Sequence, residues 1–170
     1  SKEEAPAAGW TGMGVHLSDM MLSLVQPVVE VQAHTARRIL AIPTGDVVSV
    51  HLRFADGTTA HVAALSATPD YARLAVFGSH AWAEARETQH VDPGGTTNFF
   101  VRCRGDKEQS RRDFEPVSPV RAGYEHWADA VAGLVPYRFS NEERLGNVAI
   151  LEAVVRSAES GKPEPVVQHS

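Results

Sequence analysis

From Val47 to Phe54 the chain alternates without a break. Val48, Val50, Leu52 and Phe54 fall on one side, and Ser49, His51 and Arg53 on the other. Period two of this kind predicts a strand with one buried face. Ala55-Asp56-Gly57 supplies a hairpin loop with a glycine free to take positive φ, and Thr58 to Ser66 reads as the return strand. With a three-residue loop, Phe54 pairs with Thr58 and His51 falls opposite His61. Before this hairpin, Val28 to Ala33 reads as a strand and Pro43 to Asp46 as a turn. After it, Ala72 to Gly78 and Trp82 to Thr88 form a further pair joined through Gly78-Ser79-His80-Ala81. Asn98 to Arg104 follows the Pro93-Gly94-Gly95 break as another strand, and the polar run Gly105 to Arg112 reads as an exposed loop.

Helical spacing appears at both ends. In the first helix, Leu17, Met20, Met21, Leu24 and Val25 make an apolar stripe, and Gln26-Pro27 stops it. Near the C-terminus, Tyr124, Trp127, Ala128, Val131 and Leu134 lie along one stripe of a helix over about Tyr124 to Leu134. The last helix opens at Ser140 with Glu143 three residues on, a capping box, and ends at Gly161 and Pro163. A helix, six or so strands and two helices make an α+β fold. The expected form is an open-faced, mostly antiparallel β-sheet with helices packed on one face.

Composition narrows the function. The 170 residues are 43% hydrophobic, enough for one core and one domain by default. A net charge of −5, with no basic run longer than Arg111-Arg112, argues against nucleic-acid or membrane partners. No apolar stretch approaches a membrane span. Cys103 is alone, so no intrachain disulfide forms and a reducing, cytoplasmic setting fits. Residues 1–8 are polar and Ala/Pro-rich and read as a linker, which implies a chain that begins inside a longer protein.

The stretch Gly9 to Asp19, GWTGMGVHLSD, carries the most chemistry. A glycine-rich turn runs into a helix in which His16 and Asp19, at i and i+3, share a face. A histidine beside a carboxylate can act as a general acid/base, with the carboxylate fixing its tautomer. The plainer alternative is a partly buried ion pair that anchors the helix. Trp10, in the turn before His16, has a flat side chain able to wall a pocket. The glycines at 9, 12 and 14 are not a dinucleotide fingerprint, because no strand precedes them and the spacing is wrong. Phosphate loops, paired-cysteine zinc spacing and nucleophile elbows are absent. His51 and His61 would bring two imidazoles across a hairpin, but neither strand offers an obvious carboxylate as third ligand, so a solvated strand face is expected. Arg102 and Arg104 alternate away from the Cys103 sulfur, so an inert thiol is expected.

Four stretches in order resemble the C-terminal domain of the glucose–fructose oxidoreductase / inositol dehydrogenase / MocA-type oxidoreductases. They are Gly9 to Asp19, Val47 to Ala64 (VVSVHLRFADGTTAHVAA), Arg73 to Ala85 (RLAVFGSHAWAEA) and Val154 to Val166 (VVRSAESGKPEPV). The resemblance covers residues 9–166, the expected domain, with 167–170 as a tail. It implies an NAD(P)-dependent enzyme acting on sugars, polyols or related hydroxy compounds. NAD or NADP would be bound by a Rossmann domain not present in this chain, which also supplies a lysine from a Glu-Lys-Pro motif. It implies that His16 matches the family's histidine and Asp19 the aspartate of its His-x-x-Asp pattern, and that the open sheet serves as a homo-oligomer interface. One position departs from the pattern. The family's aspartate four residues before the histidine is Gly12 here, whose lack of a side chain forbids the same contact to a substrate. Either Asp19 takes that role, or the chemistry differs, or turnover is lost. The rival reading is a non-enzymatic α+β interaction module, and a Rossmann fingerprint in the reading frame upstream of Ser1 would separate the two.

Overall fold

The computed structural model describes residues 7–25, 27–89 and 94–168. Most of the expected linker, Gln26, Pro93 and the last two residues of the tail lie outside the described residues. The chain divides into two compact units: residues 1–67 with 138–170, and residues 68–137.

In the first unit a π-helical turn, Trp10–Gly14, leads into α1, Val15–Leu24. Strands β1 (Val28–Ala36), β2 (Val47–Phe54) and β3 (Thr59–Leu65) follow, then α3 (Asn141–Ser160) and the two-residue β8, Glu164–Pro165. The antiparallel sheet has the order β3-β2-β1-β8. The hairpin is as the sequence predicts: Phe54 N–H donates to the Thr58 carbonyl at 2.9 Å, and His51 pairs with His61. Gly57 takes φ 87°, the conformation its loop position requires.

One face of this sheet makes the core. Val48, Val50, Leu52 and Phe54 of β2 join Val62 and Ala64 of β3, and Ala149, Ile150, Ala153 and Val154 of α3 pack with them. On β1, Val28, Val31 and Ala33 are all buried although 28 and 31 differ in parity. The register shift between Val28 and Glu30 explains this, since one extra residue turns the following side chains to the other face. The opposite face is polar: Glu30, Gln32 and His34 of β1 stand in register with Arg53, His51 and Ser49 of β2. Among the described residues, every buried hydrophobic side chain belongs to this unit.

The second unit holds a second antiparallel sheet, β4-β5-β6-β7, and α2. Its strands are Arg73–Phe77, Ala81–Glu87, Thr97–Cys103 and Ser110–Phe114. The α+β class with antiparallel sheets holds, with the strands divided between two sheets. The last strand corrects the expected loop over Gly105 to Arg112, because Ser110, Arg111 and Arg112 pair with β6. All five of its side chains are exposed, so it carries no apolar alternation to read. Helix α2 spans Pro119–Val131, earlier than expected. Ser118 caps it, its Oγ accepting from Arg121 N–H at 3.3 Å, and Pro119 takes the first turn. Tyr124 and Trp127 on its apolar stripe are exposed rather than core.

Candidate functional site

The glycine-rich turn is built on left-handed backbone: Ala7, Ala8 and Gly9 have φ of 58°, 51° and 87°. Trp10 N–H closes the turn on the Ala7 carbonyl at 3.0 Å. This geometry carries Trp10 inward, where it is 0% exposed within the core cluster. The expected pocket wall is therefore corrected. The indole is sealed among apolar side chains, and its Nε1–H has no hydrogen-bond partner among the described residues. A Cβ on Gly14 would run into the indole ring, so this glycine exists to admit Trp10. The Trp10 ring fills the space beside Gly14, leaving no room there for the close backbone approach that a pyrophosphate needs.

Helix α1 then divides its faces. Ser18 is fully buried and Gly14, at the N-cap, is buried, while Leu17, Met21, Leu22 and Val25 pack against the core. Ser18 Oγ lies 2.6 Å from Asn147 Oδ1, and Asn147 Nδ2 donates to the Val15 carbonyl at 3.1 Å, which ties α1 to α3. Neither Ser18 nor Asn147 was legible in the sequence, because a serine on a helix gives no sign of the face it occupies. The opposite face presents Gly12, Met13, His16, Asp19, Met20 and Leu24 to solvent. Met20 and Leu24 are 41% and 60% exposed, correcting the expected apolar stripe. They lie four and eight residues beyond His16, so helical spacing places them on the histidine's side.

His16 and Asp19 are both exposed, and among the described residues no hydrogen bond or ion pair joins them. Nothing within 4 Å occupies the space a Cβ on Gly12 would enter. The result is a solvent-facing patch with one imidazole and one carboxylate, bordered by Met13, Met20 and Leu24.

A buried carboxylate with a shifted pKa lies elsewhere. Asp46 is buried, and its carboxylate accepts from the backbone N–H groups of Arg38, Ile39 and Leu40 at 2.7, 2.7 and 2.8 Å. These bonds, led by that of Leu40, hold its pKa below the ordinary 3.8. With both carboxylate oxygens engaged by three successive backbone N–H groups, Asp46 works as a loop clamp. The described residues contain no cluster of three or more His, Cys, Asp and Glu able to hold a metal. No described helix is long and apolar enough to cross a membrane.

The sequence profile of the GFO/IDH/MocA C-terminal domain matches residues 2–84. No curated protein matches the chain. Among solved structures, it is similar to a protein described as an NADPH-dependent oxidoreductase from Desulfitobacterium hafniense, with a TM-score of 0.83 and 22% identity. That alignment covers 98% of this chain and 50% of the other. The aldose–aldose oxidoreductase of Caulobacter crescentus, solved with glycerol, aligns at a TM-score of 0.71 and 18% identity over 95% of this chain and 47% of that one. The WlbA dehydrogenase of Bordetella pertussis, solved with NADH and UDP-GlcNAcA, gives 0.62 and 19% over 96% and 46%. The chain therefore spans about half the length of the structures it matches.

Proposed function

We propose that this chain, whose residues 2–84 match the GFO/IDH/MocA C-terminal domain, is the substrate-binding and oligomerisation domain of an NAD(P)-dependent oxidoreductase. Its substrate is a sugar, polyol or related hydroxy compound, and its setting is the cytoplasm. The observation that carries the reading is the match of nearly the whole fold to one half of longer oxidoreductases. Oxidising a carbinol to a carbonyl needs a hydride acceptor, which the nicotinamide cofactor supplies from a domain outside this chain, and a group that takes the hydroxyl proton. His16 is the proposed proton acceptor, because it is the imidazole on the exposed face of α1 and has a carboxylate one turn away. Asp19 orients it once substrate is bound, and Gly12 leaves open space beside it for the substrate. Trp10 serves beneath, holding the turn against the core.

In the full-length protein, His16→Ala should lower kcat by about 10²- to 10⁴-fold with little change in melting temperature. Wild-type turnover by the mutant would return His16 to an ordinary surface residue. The polar face of the β1–β3 sheet is the proposed self-association surface, since the first unit's helices α1 and α3 pack on its other side. Light scattering should find an oligomer that Arg53→Glu weakens, and a monomer would refute the assignment.

One observation favours a second reading, a domain that binds without turnover. Gly12 offers no side chain where the resembling family has an aspartate. A full-length protein that binds hydroxy compounds but never reduces NAD or NADP would establish it.

A further inference from the structure

We infer that His51 and His61 form a two-imidazole chelating site for a divalent transition-metal ion on the polar face of the β1–β3 sheet. This inference does not depend on the hydride-transfer chemistry; its site lies on the face proposed for self-association, and the titration below is made on the monomeric fraction, where that face is open to water. The two residues are directly paired across β2 and β3, and their ring centres lie 4.7 Å apart at an interplanar angle of 38°. An imidazole nitrogen bonds such an ion at about 2.0–2.1 Å, which places each ring centre about 3.2 Å from the metal. Two rings at a ligand angle of about 90–110° then have centres about 4.5–5.2 Å apart, and the observed spacing falls within that span.

The surroundings favour the same occupant. No hydrogen bond engages either ring among the described residues, so both can turn a nitrogen toward an ion. Each side chain leaves the middle of a paired strand, where the ladder fixes the separation before the ion arrives. Glu30 is held by Arg53 at 3.3 Å and is not a third ligand. Gln32 faces His51 from β1, and Ser49, Thr59, Ala63 and His34 complete the local surface. Water fills the remaining coordination positions. Two neutral nitrogen ligands select Cu²⁺, Ni²⁺ or Zn²⁺ over the oxygen-seeking Mg²⁺ and Ca²⁺.

The test is calorimetric titration of the purified chain with NiCl₂, using MgCl₂ as control. One Ni²⁺ should bind per chain beyond what the His51→Ala/His61→Ala double variant retains. Either single substitution forfeits the effective concentration of a two-point hold and should weaken binding about 100-fold, whereas His80→Ala, in the second unit, should leave it unchanged. Paramagnetic broadening of amide signals by Ni²⁺ should centre on His51 and His61 in the unmutated protein, a readout that does not depend on any variant folding. Binding no stronger than in the double variant, or broadening centred elsewhere, overturns the site.

Discussion

Removing one buried hydroxyl, that of Ser157, should loosen the whole first unit. Ser157 is fully buried on α3, and its Oγ donates to the Lys162 carbonyl at 2.5 Å while accepting from Ala33 N–H at 2.9 Å. The second bond is the critical one. β8 pairs with Glu30 and Val31, so among the described residues the far edge of β1 has no strand partner by Ala33. In Ser157→Ala that N–H stays buried and unpaired, a loss of about 1–3 kcal/mol. A loss of about 2 kcal/mol with a urea slope of about 2 kcal/mol/M lowers the midpoint by about 1 M at unchanged slope. Hydrogen exchange of the Ala33 amide should accelerate in parallel. Ser157→Cys, which keeps the shape but accepts weakly, should fall between. A midpoint within about 0.2 M of the parent would show that water or a backbone shift satisfies Ala33 instead.

Two further outcomes follow from buried groups. Trp10→Phe deletes an indole N–H that has no partner among the described residues and should leave stability unchanged or raised, while Trp10→Ala should cost about 3–5 kcal/mol; thermal melts of both decide whether the orphaned donor matters. Asp46 has its folded pKa lowered, so the stability it contributes is present above its ordinary 3.8 and is lost as pH falls below that value. Melting temperature against pH should therefore fall more steeply in the parent than in Asp46→Asn below about pH 4, and parallel curves would show that the clamp is not ionised.

Strict alternation made β2 and its hairpin legible down to the pairing of His51 with His61, because one buried face leaves only one register. The capping box at Ser140 and Glu143 was legible for a similar reason: both reciprocal bonds form within one turn, at 3.1 and 2.8 Å. β8 left no such trace, since two residues carry no period and owe their place to the β1 edge. The bulge near Val29 blurred β1 by the same physics, breaking the parity that a reader follows. At the candidate site, spacing put His16 and Asp19 on one face of α1, and they are there. It could not tell which face the core would take. That choice depends on Ser18 meeting Asn147 from a helix far along the chain.

Ala33 and Ser157 are 124 positions apart, and the first unit takes its last helix from beyond residue 137. During synthesis, β1, β2 and β3 leave the ribosome with Val31, Val50, Leu52 and Phe54 on one face and no helix α3 to cover them. Residues 68–137 must be made before the cover arrives. Contacts this distant in sequence slow folding and prolong the life of exposed apolar sheet. A nascent chain halted within the second unit would present that surface to chaperones, and release of α3 would be the moment of commitment to the native state.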